Sequence, residues 1–65
     1  MTLLLNGAPL QIAAGTLAEA LAELGYAGKI VATALNGEFV PARRRAQTAL
    51  REGDRIEVVA PMQGG

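Results

Sequence analysis

The chain has 65 residues, with six basic and six acidic side chains and neither cysteine nor histidine. Balanced charge gives no overall field to attract nucleic acid or an acidic membrane surface. The missing residue types exclude disulfides, thiolate metal sites, a cysteine nucleophile and a histidine base.

The opening MTLLL, the dipeptide Asn6-Gly7 and then APLQI read as a hairpin. Asn-Gly accepts the two positive φ angles of a type I′ turn. Pro9 cannot donate to a ladder, which places the second strand at an edge. Alternation sends Met1, Leu3 and Leu5 to one face and Thr2 and Leu4 to the other. TLAEALAELG is the clearest helix. Thr16 and Glu19 form a T-x-x-E capping box. Leu17, Leu21 and Leu24 recur at helical spacing with Ala20 beside them, and Gly25 is placed to end the helix.

IVATAL, Asn36-Gly37 and EFV repeat the strand–turn–strand pattern over Ile30–Leu35 and Glu38–Val40, and Pro41 ends it. ARRRAQTALREGD is polar and irregular. Within it Thr48–Leu50 is expected to form one helical turn, and Gly53-Asp54 to turn the chain into a last strand, RIEVVA. There Ile56, Val58 and Ala60 face one way, and Glu57 and Val59 the other. The order is β-β-α-β-β-β. It predicts an α+β domain over residues 1–60, with one helix packed on a mixed sheet of four to five strands. An extended, flexible tail is expected over residues 61–65.

About half of the residues are apolar, enough for one core, and only Tyr26 and Phe39 are aromatic, so the core is expected to be aliphatic. No apolar run approaches the roughly 20 residues of a membrane span. The start carries no basic segment of a signal peptide. The expectation is a cytoplasmic domain with no membrane or nucleic-acid partner.

Four features bear on chemistry. Arg43–Arg45 offers a phosphate or acidic-partner contact, set against a solvated loop with no aromatic side chain nearby for base stacking. Of the six carboxylates, Glu19 and Glu23 share a helix face but read as cap and surface residues, while Glu38, Glu52, Asp54 and Glu57 fall near turns or on a strand's outer face, so neither an acid/base pair nor a metal cluster is expected. Leu4 and Val59 both point away from the helix, and they meet if the first and last strands are neighbours, giving an apolar docking patch. The last feature is the ending, PMQGG. Its one titrating group is the Gly65 carboxylate, which is ionised at neutral pH. That makes it a poor electrophile until it is activated, for instance by attachment of AMP. Two glycines leave the reacting carbon without side-chain obstruction.

The opening strand closed by LNG, the Thr-capped helix after AAG, the central ALNGEFVP, the segment AQTALREGDRIEVV and the final GG together resemble the β-grasp sulfur carriers. The closest resemblance is to the thiamine-biosynthesis sulfur carriers, the ThiS family, and it covers essentially the whole chain. The resemblance implies a ubiquitin-like β-grasp fold and a carrier that is a substrate of partner enzymes rather than an enzyme. It implies no bound cofactor, with ATP used by an E1-like adenylyltransferase of the ThiF/MoeB type that adenylates Gly65. A persulfide derived from a cysteine desulfurase would replace the AMP and leave a thiocarboxylate. A thiazole synthase of the ThiG type would accept that sulfur. Carried onto this chain, Gly65 reacts, Gly64 is its steric companion, Met62 and Gln63 line the partner channel, and Leu4 and Val59 dock. Rival readings are the small subunit of molybdopterin synthase, a ubiquitin-like modifier joined to lysines through Gly65, and a β-grasp ligand- or RNA-binding module using Arg43–Arg45.

Overall fold

A computed structural model describes residues 1–60 of the chain. Strand β1 (Thr2–Leu5) and strand β2 (Ala8–Gln11) form the first hairpin, helix α1 (Leu17–Glu23) follows, and β3 (Ala32–Leu35) and β4 (Glu38–Val40) form the second hairpin. A 3-10 helix over Ala42–Gln47 then leads to β5 (Arg55–Val59). The five strands make one sheet in the order β2-β1-β5-β3-β4. Only β1 and β5 run parallel; the other neighbours are antiparallel. The last strand therefore lies at the centre of the sheet.

Both hairpins turn as their Asn-Gly pairs predict. Asn6 and Gly7 have φ of +49° and +86°, and Asn36 and Gly37 have +52° and +86°, the left-handed pair that a type I′ turn requires. Pro9 lies on β2, at the sheet edge, opposite Leu4.

The helix is closed at both ends by its own sequence. Thr16 Oγ1 accepts from the Glu19 N–H at 3.2 Å, and Glu19 Oε1 accepts from the N–H groups of Gly15 at 2.9 Å and Thr16 at 3.1 Å. That satisfies the reciprocal capping box. At the other end the Gly25 N–H reaches the Ala22 carbonyl at 3.2 Å, and the Tyr26 N–H reaches the Leu21 carbonyl at 2.8 Å. This pair of bonds is a Schellman motif with Gly25 at the C′ position. Leu17, Ala20 and Leu21 are buried against the sheet side that carries Leu3, Ile56 and Val58. The core is aliphatic, as the composition predicts.

Two stretches differ from expectation. Ile30 is outside β3 and 84% exposed. The β3–β5 ladder starts at Ala32 opposite Val59, the last residue of β5, so Ile30 has no described strand partner. The turn ahead of it has Gly28 at φ +79° and the Lys29 N–H bonded to the Tyr26 carbonyl, and it ends just before Ile30. In the second stretch the helical turn falls on Ala42–Gln47 and not on Thr48–Leu50. Pro41 sits at the start of that turn with φ −67°, and its carbonyl accepts from the Arg44 N–H at 2.9 Å. Thr48–Leu50 is extended because it has another task. The Thr48 carbonyl accepts from the Leu17 N–H at 2.9 Å, and the Leu50 N–H donates to the Gly15 carbonyl at 3.0 Å. Leu17 N–H is one of the donors that a helix start leaves unpaired.

Candidate functional site

Among the described residues the carboxylates do not converge. Glu19 is held in the capping box. Both oxygens of Glu52 accept from the Thr2 N–H at 3.1 Å. Asp54 accepts from the Asn36 carboxamide at 3.0 Å and from the Arg51 N–H at 2.8 Å. These three carboxylates fasten backbone and turns. No group of three or more potential metal ligands occurs among the described residues.

The triple arginine divides. Arg43 and Arg44 are exposed. Arg45 is half-buried, donating from Nε to Thr33 Oγ1 at 3.1 Å and from Nη2 to the Val31 carbonyl at 2.7 Å. Its guanidinium ties the 3-10 helix to β3, so the stretch is neither a loop solvated throughout nor a row of three free cations.

The sheet face turned away from the helix is the remaining candidate surface. Leu4 and Val59 both lie on it, but they do not meet as expected. The parallel register sets Leu4 opposite Arg55, and Val59 is four residues further along β5, roughly 13 Å at about 3.3 Å per residue. Adjacent strands were not enough, because register decides which side chains touch. Val59 instead pairs with Ala32 on the opposite side of β5.

That pairing creates a different patch. Ala32 and Ala34 share the outer face of β3, and Phe39 lies opposite Ala34 on β4. Phe39 is 70% exposed and Val59 64%. Two small alanines between two larger apolar side chains give an apolar strip across β4, β3 and β5, bordered by the exposed Glu57 opposite Ala34. Phe39 was not singled out from the sequence as a contact residue. The signal was present: if Val40 points inward, alternation puts Phe39 outward. On the β1 side of the same face, Leu4, Asn6, Gly7, Gly37, Arg55 and Glu57 border a depression of about 440 Å³.

The strip reaches Val59, one residue before the end of the described chain. Met62, Gln63, Gly64 and Gly65, the residues expected to enter a partner and react, lie outside the described residues. The described part thus supplies an apolar strip that ends on the central strand, with no cluster of three or more potential metal ligands among the described residues.

Comparison with known proteins decides the family. The model of the ThiS family matches residues 3–65. The chain belongs to the ThiS family. Its relatives include the sulfur carrier protein ThiS of Thermus thermophilus, 46% identical over 61 residues, which cover 94% of this chain and 95% of that protein. A thiazole synthase of Paramagnetospirillum magneticum is 41% identical over 66 aligned positions. That match takes in 100% of this chain but 20% of the synthase. Among solved structures, the crystal structure of the thiamine biosynthesis protein ThiS of Geobacter metallireducens superposes with a TM-score of 0.83 at 32% identity, covering 100% of both chains. A solution structure of a thiamine biosynthesis protein from the same organism gives 0.81 at 30% identity, covering 100% of this chain and 88% of that one. The mixed five-stranded sheet on one helix is the ubiquitin-like β-grasp arrangement of these ThiS-family structures.

Proposed function

We propose that this chain is a sulfur carrier of thiamine biosynthesis that works through the carboxylate of Gly65. The observation carrying the proposal is the ThiS family match, which runs through to Gly65 itself. Chemistry supports it. A chain without cysteine has no thiol on which to hold sulfur, so the sulfur must be attached to another group. A carboxylate becomes reactive toward sulfur once an oxygen is converted into a leaving group. One Gly65 oxygen attacks the α-phosphorus of ATP and releases pyrophosphate, giving an acyl adenylate. The terminal sulfur of a persulfide displaces AMP, and a thiol cleaves the resulting acyl disulfide to leave a thiocarboxylate, being itself oxidised to a disulfide.

The chain is then a substrate and not the catalyst. A ThiF/MoeB-type adenylyltransferase supplies the ATP site, a cysteine desulfurase supplies the persulfide, and a ThiG-type thiazole synthase accepts the sulfur. The partnership with a thiazole synthase is supported by the relative in which a segment like this one forms 20% of a protein of that name. Phe39 and Val59 form the docking strip that places residues 61–65 in the partner's channel, with Met62 and Gln63 lining it and Gly64 leaving room at the reacting carbon. Leu4 belongs to a second contact on the β1 side of the same face.

The test is chain-dependent ATP–pyrophosphate exchange by the adenylyltransferase. Exchange that rises with added chain and vanishes when Gly65 is deleted supports the proposal. Exchange indifferent to the chain contradicts it. Reconstitution with thiazole synthase or with a molybdopterin synthase large subunit then separates the thiamine branch from its nearest rival.

A further inference from the structure

Strand β1 stops at Leu5, but the hydrogen bonding along β5 does not stop with it. The parallel register of Leu4 with Arg55 and Leu5 with Ile56 continues to Asn6, whose N–H donates to the Ile56 carbonyl at 2.8 Å. In a parallel ladder the next bond would run from the Val58 N–H to the backbone carbonyl of Asn6. That carbonyl has turned away, because Asn6 has entered the hairpin turn at φ +49°. Its side chain takes over. Asn6 Oδ1 accepts from the Val58 N–H at 2.9 Å, and Asn6 Nδ2 donates to the Val58 carbonyl at 3.3 Å. One carboxamide thus replaces an acceptor and a donor that two further strand residues would have supplied.

Val58 depends on this replacement. Residues two apart in a strand present their backbone polar groups to the same neighbour. The Ile56 carbonyl is bonded on the β1 side, so the N–H and carbonyl of Val58 point to that side as well. Without the Asn6 carboxamide they face the gap beyond the end of β1. The second Asn-Gly turn uses the same device at the other end of β5: the Asn36 N–H donates to the Arg55 carbonyl at 2.8 Å, and Asn36 Oδ1 accepts from the Arg55 N–H at 2.9 Å. The two turns therefore act at opposite ends of the central strand. At the end from which residues 61–65 follow in sequence, Asn6 holds the β1 side, and the pairing of Ala32 with Val59 holds the β3 side.

We propose that Asn6 is a positioning residue for the terminal chemistry: its carboxamide fixes Val58, and through it the direction in which the chain leaves β5 toward the partner's reacting site. This rests on the sulfur-carrier reading above. Docking through Phe39 and Val59 fixes the domain on its partner, whereas Asn6 fixes the end of β5 from which the chain runs on toward the bound ATP. Misplacement of a reacting group by an ångström lowers the rate of the step and leaves the affinity of a remote docking surface unchanged.

The experiment compares wild type with Asn6→Gly, Asn6→Asp and Asn36→Gly in adenylyltransferase-dependent sulfur loading followed by intact mass. Glycine keeps the left-handed turn and removes the carboxamide. Asn6→Asp keeps an acceptor for the Val58 N–H but sets a carboxylate against its carbonyl. The inference predicts that Asn6→Gly and Asn6→Asp lower kcat by roughly tenfold or more while KM stays within about twofold, and that Asn36→Gly leaves kcat within about twofold. Amide exchange of the Asn6→Gly protein should show faster exchange at Val58 with global stability retained. Equal kcat for Asn6→Gly and wild type overturns the inference, as does an equal fall in kcat for Asn6→Gly and Asn36→Gly, which would mark general loosening of the sheet. Wild-type chain that gains no sulfur overturns the carrier reading itself, an outcome distinct from a wild type and Asn6→Gly that load equally fast.

Discussion

Arg45 and Thr33 are joined across the second half of the fold: the guanidinium Nε donates to Thr33 Oγ1 at 3.1 Å, while that hydroxyl donates to the Val40 carbonyl at 2.8 Å. Thr33 is 2% exposed and is the only buried polar side chain among the described residues. Hydrogen bonds to a charged donor contribute more than neutral ones, about 1.5–3 kcal/mol. Arg45→Met keeps the aliphatic stem but strips the donors from Thr33 and the Val31 carbonyl. It should lower unfolding stability by about 1–3 kcal/mol, read by urea denaturation. Arg43→Ala and Arg44→Ala should stay within about 0.5 kcal/mol of wild type.

Leu17 and Ile56 bring the helix and the central strand into one core, at 0% and 1% exposure. Truncating either to alanine leaves a cavity that a tightly packed interior fills only in part, costing about 2–5 kcal/mol. A domain of this length has little reserve. Leu17→Ala and Ile56→Ala should therefore each shift the thermal midpoint strongly downward, or leave the chain unfolded at physiological temperature. A loss within the range of a surface substitution would contradict the assigned core.

The capping box gives a milder prediction. Thr16→Ala removes the oxygen that accepts from Glu19 N–H. It should cost about 1 kcal/mol of stability. Sulfur loading of the folded protein should be unchanged, since this end of the helix lies away from the outer sheet face.

Phe39 and Val59 should behave in the opposite way. Both are largely exposed, so Phe39→Ser and Val59→Ser should leave stability within about 0.5 kcal/mol. If the strip they form is the docking surface, each change should raise KM for the adenylyltransferase severalfold with little effect on kcat. Unchanged kinetics in the Phe39→Ser, Val59→Ser double variant would remove the strip from the interface.

Much of the fold was legible because local signals agreed. Asn6-Gly7 and Asn36-Gly37 dictated their turns, Thr16 and Glu19 the helix start, Gly25 its end, and Pro9 the sheet edge. What was not legible depended on pairing between distant segments. Leu4 and Val59 share a face and lie on neighbouring strands, yet parallel register separates them, and no local pattern encodes register. Thr48–Leu50 has the composition of a turn but is drawn into extended pairing with Gly15–Leu17, at the helix start. Arg45 looks like its two neighbours in sequence and differs only because the 3-10 helix aims it at Thr33. The roles of Asn6 and Asn36 beyond their turns were hidden for a related reason: the side chains act on β5, about fifty and twenty residues away. The end proposed to react is a reading from composition and resemblance, through the absence of cysteine and the terminal glycines.

The central claim is that sulfur is carried on the Gly65 carboxylate. It is tested most directly by intact mass and C-terminal peptide fragmentation after incubation with ATP, adenylyltransferase and a persulfide donor. The account predicts a mass gain equal to replacement of one oxygen by sulfur, located at Gly65, and none in chain lacking Gly65. Equal modification of the Gly65-deleted chain, or sulfur located elsewhere, would contradict it.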